Sequence, residues 1–321
     1  MKNNHLNKLA DNHIIIYLSI SIFLAAVFFS YRFVGVKENT GSLFLNGKFS
    51  PFFCSAINVV VILLCALLLQ RLNGIFALIR SRTSFPLLFF LFLEGSNPQL
   101  TCTLHPGNLL SLLFICTLFA LFSSYQGKET QRQAFGLSLC IGCGFLLWNP
   151  FIYLLPVFWF GMYKMQSLTG KSFAATLMGI ITVAWLVVNI RFLSGLPPYT
   201  FSAVLPGDYL HVSHPQKIFS YILLPVILGT ISMVNNLYNN FNDKTRTRTY
   251  NGFINALSIV SVLLIVIDFH EAESCLPVLN TCIALQASHL FTNTRNKIII
   301  VLFYIVLACF FALYLWSLFH H

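Results

Sequence analysis

Apolar runs alternate with short polar segments along the whole chain. The longest runs reach roughly 20 residues, the length at which a helix crosses the hydrocarbon core of a bilayer. We distinguish eleven runs, which cover residues 14–34, 52–70, 85–93, 109–124, 134–147, 151–163, 172–193, 218–234, 253–269, 276–291 and 298–319. The pattern predicts an all-α fold, a polytopic transmembrane bundle of about eleven helices in a single integral membrane domain over residues 1–321.

Some of these runs are too short for a full crossing, and two of the interruptions contain proline. Run 85–93 stops before Asn97-Pro98, so it must borrow flanking residues or enter the membrane only part of the way. Runs 134–147 and 151–163 meet around Pro150, which cannot donate a helical hydrogen bond. We expect two short helices in a hairpin there, with one long kinked helix as the alternative.

The cations lie mostly at the ends of the runs and between them, and they are distributed unevenly. When the loops alternate from a cytoplasmic N-terminus, 14 of the 19 Lys and Arg residues lie on the inner side. Those that lie outside are Arg32, Lys37, Lys48, Arg191 and Lys217. Because cytoplasmic loops carry an excess of Lys and Arg, this predicts a bacterial inner-membrane protein with its N-terminus in the cytoplasm and its C-terminus outside.

The first run resembles a secretory signal, because Lys2 and Lys8 precede it. Its apolar core is longer than the roughly 7–15 residues of a cleaved signal. No small-x-small cleavage site follows it. We therefore expect an uncleaved signal anchor over residues 14–34.

Composition supports the membrane interpretation and argues against a soluble protein and a nucleic-acid-binding protein. Hydrophobic residues make up 57% of the chain and charged residues only 9%, against roughly 25% charged in soluble domains. The net charge of +10 comes from cations scattered between apolar runs, so no nucleic-acid surface is predicted. The expected partner is the lipid bilayer, including its anionic head groups.

Few side chains are candidates for chemistry. Glu94 and Asp268 directly follow apolar runs, where a carboxyl is either functional or solvated at a helix end. His211 and His214 form an HxxH, but two ligands in a Pro-flanked loop are too few for a metal site. Four asparagines within or beside apolar runs predict hydrogen bonds between helices: Asn73, Asn149, Asn189 and Asn280.

The order of elements over residues 83–171 resembles a known membrane core. It runs Thr-Ser-Phe-Pro at 83–86, Gly-Ser-Asn-Pro at 95–98, an outward loop with His105, a basic loop, a Gly-containing helix and Trp-Asn-Pro at 148–150. This order is similar to that of the lipid-sugar-dependent glycosyltransferases of the GT-C fold. Ser-Phe-Pro at 84–86 and Leu-Pro-x-Phe-Trp-x-Gly-Met at 155–162 also resemble a family of bacterial multipass membrane proteins.

The GT-C resemblance implies a core over residues 35–193, followed by C-terminal helices over 218–319. It implies that Glu38 acts as the catalytic base, and that Glu94 or His105 helps to hold the acceptor or the lipid phosphate. Arg191, Lys217, His211 and His214 become candidates for binding lipid phosphate or substrate. The substrate would be a polyprenyl-phosphate sugar used at the outer face, with a divalent cation. The chain departs from the family in having one acid in the first outward loop where the family often has a pair.

Two other functions fit the same pattern. A non-enzymatic scaffold or subunit of an envelope-assembly complex needs no catalytic motif and would have other membrane subunits as partners. A transporter would use the helix breaks at Asn97-Pro98 and Asn149-Pro150 to line a site inside the membrane.

Overall fold

The computed structural model describes residues 13–34, 50–79, 83–127, 129–194, 215–239, 244–293 and 297–319. Within these ranges the chain forms twelve α-helices, one 3-10 helix over Asn149–Tyr153 and no strand, which confirms the all-α prediction. The helices are α1 (His13–Val34), α2 (Pro51–Phe76), α3 (Phe85–Gly95), α4 (Pro98–Cys102), α5 (Pro106–Ser123), α6 (Gln131–Leu147), α7 (Leu154–Lys164), α8 (Gly170–Leu193), α9 (Pro215–Asn239), α10 (Thr245–Ile267), α11 (Ala272–Asn293) and α12 (Lys297–Phe319).

Prolines and short polar side chains determine where several helices begin. α2, α4 and α5 each start at a proline, whose missing N–H would have no partner in a first turn anyway. The residue before each proline caps the helix: Asn97 accepts from the Gln99 N–H at 3.1 Å, and His105 Nδ1 accepts from the Gly107 N–H at 3.2 Å. Each cap satisfies one of the free donors of a first turn.

Seven helices within the described ranges are long and apolar enough to cross a membrane: α1, α2, α5, α8, α9, α10 and α12. The peripheral helices α1, α8 and α12 expose large apolar side chains such as Phe28, Trp185 and Tyr304. Exposing so much apolar surface to water would be unfavourable, whereas exposing it to lipid is not. The structure thus has the character of a multi-pass membrane protein, while the count of about eleven crossings stays a prediction.

The centre of the bundle is α11, which is too polar to be counted among the seven. It packs against α3, α5, α9 and α10, and its side chains from Cys275 to Phe291 are almost fully buried. Because these neighbours shield α11 from lipid, it can carry Asn280, Gln286 and His289 in its interior turns.

The run around Pro150 folds as two separate helices, as expected, and the alternative of one long kinked helix is wrong. α6 ends at Leu147, because Trp148 has extended backbone angles (φ −152°, ψ 113°). Phe151 then packs back against Gly144, where a Cβ would overlap its ring. Only glycine permits this close return of the chain.

Contacts between helix termini define two opposite ends of the bundle. At one end, which we call the His105 end, His105 before α5 approaches Glu273 in the first turn of α11, with Nε2 and Oε2 3.8 Å apart. Beside it, the Trp148 Nε1–H after α6 donates to Asp268 Oδ2 after α10 at 3.0 Å.

At the other end, which we call the Tyr250 end, the Tyr250 hydroxyl near the start of α10 donates to the Phe122 carbonyl in the last turn of α5 at 3.1 Å. The N–H of Gln126, after α5, donates to the carbonyl of Met165, after α7, also at 3.1 Å. Helices α5 and α10 therefore run antiparallel from one end of the bundle to the other.

Candidate functional site

The candidate site lies at the break between α3 and α4, in the interior of the bundle. α3 ends because the Ser96 hydroxyl donates to the Leu93 carbonyl at 2.7 Å and Pro98 cannot continue the helical hydrogen bonds. Asn97 is extended, and both Asn97 and Glu94 are at most 1% exposed. Irregular backbone at membrane depth is tolerated where protein surrounds it, which is the case here.

Glu94, in the last turn of α3, is the only fully buried carboxyl among the described residues, with 0% exposure. Asn280 of α11 donates from Nδ2 to Glu94 Oε1 at 3.0 Å. The second carboxyl oxygen, Oε2, has no hydrogen-bond partner within the described part of the chain, and no Lys, Arg or His there lies within ion-pair distance of it. A buried carboxyl without a counter-ion is stable only with a bound proton or cation.

Two asparagines fix α4 to the helices beside it. Asn58 of α2 donates from Nδ2 to the carbonyls of Leu100 at 2.7 Å and Thr101 at 3.0 Å. Asn108 of α5 donates to Asn58 Oδ1 and to the Leu100 carbonyl, both at 2.9 Å. These bonds satisfy backbone carbonyls that a five-residue helix leaves free. The asparagines therefore fix the position of α4 after the break.

We call Glu94, Asn97, Asn108 and Asn280 the Glu94 cluster. Each has one buried polar atom with no hydrogen-bond partner within the described ranges: Glu94 Oε2, Asn97 Nδ2, Asn108 Oδ1 and Asn280 Oδ1. An unsatisfied buried polar group costs about 1–3 kcal/mol. The four atoms belong to residues on or beside the break between α3 and α4 and on the helices α5 and α11 that pack near it.

The Glu94 cluster and the His105 end lie along the same face of α11. Glu273 and Asn280 are seven residues apart on α11, so they share a face and are separated by about 10 Å along the helix. Pro277, between them, has no N–H to give to the Glu273 carbonyl. Gly107 packs against the same place, since a Cβ there would lie 2.9 Å from the carbonyl oxygens of Glu273 and Ser274.

The protonation states of His105 and Glu273 follow from burial. Burial lowers the pKa of His105 to about 4, so its ring is neutral at pH 7. Because Nδ1 accepts the Gly107 N–H, the ring proton is assigned to Nε2, which faces Glu273. Burial, followed by the charge of Glu271, raises the pKa of Glu273. The pair is thus a neutral donor beside a carboxyl that takes up a proton readily.

A second polar cluster lies on another face of α11. Gln286 donates from Nε2 to Asn255 Oδ1 at 3.0 Å and to Ser258 Oγ at 2.9 Å, both on α10. Gln286 follows Asn280 by six residues, which places the two side chains about 120° apart around the helix. Gln286 thus bonds to α10, whereas Asn280 bonds to Glu94 of α3.

The structure brings together only some of the residues that the sequence suggested. Glu94 and His105 do not touch: Glu94 bonds to Asn280 and His105 approaches Glu273, seven residues away on α11. The alternative of solvated carboxyls is wrong for both Glu94 and Asp268, since Asp268 is 8% exposed and accepts from Trp148. The prediction of interhelical asparagine bonds is confirmed for Asn280.

The remaining candidates lie elsewhere or cannot be placed. Arg191 is in the last turn of α8, a peripheral helix that packs on α6. The backbone of Lys217 lies in the first turn of α9. Glu38, His211 and His214 fall outside the described residues.

Two of the expected asparagine bonds are local, and one important pair was missed. Asn73 Oδ1 accepts from the Ile79 N–H at 3.0 Å, and Asn189 Nδ2 donates to the Trp185 carbonyl in its own helix at 2.7 Å. The bonds of Asn58 and Asn108 were not anticipated, although an amide inside an apolar run is the signal that identified the others.

Among the described residues, no group of three or more His, Cys, Asp or Glu side chains could hold a metal ion. The described residues include one fully buried carboxyl, Glu94, and buried amides on the helices beside it.

This fold and this site define a class: a helical, multi-pass membrane protein with a carboxyl site inside its bundle. Comparison with known proteins adds no narrower assignment, because no family model, no curated protein and no solved structure matches the chain.

Proposed function

We propose that the chain is a transport protein of the bacterial inner membrane, in which Glu94 binds the coupling proton. The observation that carries the proposal is the burial of Glu94 at a helix break, with one oxygen unpartnered within the described part of the chain. Ionisable side chains at such depth mark proton relays and ion paths, and transporters build their sites at broken helices.

The orientation follows from the distribution of charge. The Tyr250 end carries Arg132, Lys164, Lys171, Arg246 and Arg248 at or beside its helix termini. The His105 end carries a group of acids on and before the first turn of α11, namely Asp268, Glu271 and Glu273. In this proposal the Tyr250 end therefore faces the cytoplasm, and the His105 end faces the outside.

Thiol labelling tests this orientation. In a variant without its native cysteines, Lys171→Cys at the Tyr250 end should react with a membrane-impermeant maleimide only after the cells are opened. Glu271→Cys at the His105 end should react in intact cells. The reverse pattern would show that the orientation is wrong.

Proton movement tests the function. Purified protein in liposomes that contain a pH-sensitive dye should acidify the lumen when a proton gradient is imposed. Glu94→Gln should abolish this, because the amide keeps the shape and the bond to Asn280 but cannot exchange a proton. Glu271→Gln, which changes an exposed acid at the His105 end, is the matched control and should retain the acidification. Equal rates in wild type and Glu94→Gln would refute the proposal.

A second candidate, a GT-C-like glycosyltransferase, has one observation in its favour. His105 and Glu273 meet at the His105 end, which would be the outer end, where a lipid-linked sugar would present its phosphate. Transfer from a polyprenyl-phosphate sugar by the purified protein, lost in Glu38→Gln but retained in Glu94→Gln, would establish this function in place of transport.

A further inference from the structure

A cavity of about 350 Å³ opens between α7 and α10 at the Tyr250 end. It is unrelated to Glu94. Its lining residues come from the last turns of one helix and the first turns of the other, and they are Phe160, Lys164, Arg248, Thr249, Gly252 and Phe253.

Two glycines account for the shape of this cavity. Gly161 of α7 packs directly against the ring of Phe253, which a Cβ at that position would overlap. The two helices therefore approach closely at Gly161. Gly252, the residue before Phe253, lines the cavity, and a Cβ added there would meet no atom within 4 Å. Because Gly252 has no side chain, space remains beside the contact between Gly161 and Phe253.

The lining combines two cations with an apolar floor. Lys164 and Arg248 reach the cavity from different helices, and none of the six lining residues is acidic. Lys164 Nζ lies 5.5 Å from the centre of the Phe160 ring. An apolar ring therefore lies next to the lysine charge in the cavity. Arginine offers several N–H donors in a fixed plane and lysine a compact charge, a pair that suits phosphate oxygens.

The geometry points to a binding site for the phosphate of an anionic phospholipid. The cavity lies beside the start of α10, a helix of membrane-spanning length. Phe160, which lines it, and Tyr163 of the same helix are 49% and 68% exposed. A phosphate held by Lys164 and Arg248 would place the first part of an acyl chain against these rings. Basic pockets between membrane helices on the cytoplasmic side bind head groups of this class.

Native mass spectrometry of the purified full-length protein in detergent, titrated with phosphatidylglycerol, tests the proposal. The double variant Lys164→Gln/Arg248→Gln should weaken binding by about 30-fold at low ionic strength, since each cation near a lipid surface contributes about fivefold. The matched control, Arg132→Gln/Lys171→Gln, removes two cations from the same end that do not line the cavity. It should change binding by less than about twofold.

A steric variant separates a cavity from a general surface charge. Gly252→Leu retains both cations and fills the cavity, so it should weaken phosphatidylglycerol binding while leaving the helix content by circular dichroism unchanged. Equal losses in both double variants, or full binding by Gly252→Leu, would overturn the site. Phosphatidylcholine binding as tightly as phosphatidylglycerol would overturn the charge selection, and equally tight binding of inorganic phosphate would overturn the lipid as its source.

Discussion

The hydrogen bond between Asn280 Nδ2 and Glu94 Oε1, at 3.0 Å, supports a quantitative prediction. Asn280→Leu removes the one partner that the carboxyl has within the described residues, and Glu94→Leu leaves the buried Asn280 N–H without its acceptor. Each single change should lower the free energy of unfolding by about 2 kcal/mol, because an unsatisfied buried group costs about 1–3 kcal/mol. The double change removes both polar groups, so it should cost far less than the sum of the two.

The expected coupling energy is therefore about 2 kcal/mol, measured as a double-mutant cycle. Unfolding of the purified protein in detergent by SDS or urea, followed by far-ultraviolet circular dichroism, gives the four free energies. The control cycle pairs Glu94→Leu with Gln286→Leu, whose side chain bonds to α10 and not to Glu94, and should be additive within about 0.5 kcal/mol. Additive costs for Glu94 and Asn280 would show that their side chains do not meet inside the bundle.

Three further predictions concern other parts of the fold. Gly107→Ala should lower stability by about 1–3 kcal/mol, because its Cβ would lie 2.9 Å from two backbone oxygens of α11, whereas Gly74→Ala, with no atom within 4 Å, should be neutral or stabilising in the same unfolding assay. Wild-type stability should fall as the pH is lowered from about 6.5 to about 4, the ordinary and folded-state pKa values of His105. The neutral ring is favoured in the folded state, so protonation favours unfolding, and His105→Gln should lose this part of the pH dependence. Tyr250→Phe should cost about 1 kcal/mol, since the hydroxyl donates to Phe122 and accepts from Arg246 Nε at 2.8 Å; unchanged stability would contradict that role.

Much of the helical pattern could be predicted from the sequence, because apolar run length is a local property. The predicted runs 172–193 and 298–319 match α8 (Gly170–Leu193) and α12 (Lys297–Phe319) closely. The start of α10 was missed by eight residues, since its first two turns are polar. They are helical because Tyr250 and Asn251 pack into the bundle. The length of an apolar run carries no information about such tertiary contacts.

The candidate site could be predicted only in part. Its carboxyl was found because an acid next to an apolar run is unusual. Whether Glu94 is solvated or buried depends on Asn280, 186 residues further along the chain, and on the shielding of α11 by four other helices. The sequence predicted only a weak span for α11 because of its polar residues. Those residues bond to neighbouring helices at the centre of the bundle.

Infrared difference spectroscopy during a pH titration measures the protonation of Glu94 directly, in purified protein reconstituted in lipid. The wild type should show a carbonyl band of a protonated carboxyl in a non-aqueous environment, which is absent from Glu94→Gln and unchanged in Glu271→Gln. The band should shift in Asn280→Leu, because its hydrogen-bond donor is lost. A wild-type spectrum with no band that depends on Glu94 would contradict a proton-binding carboxyl at the centre of this bundle.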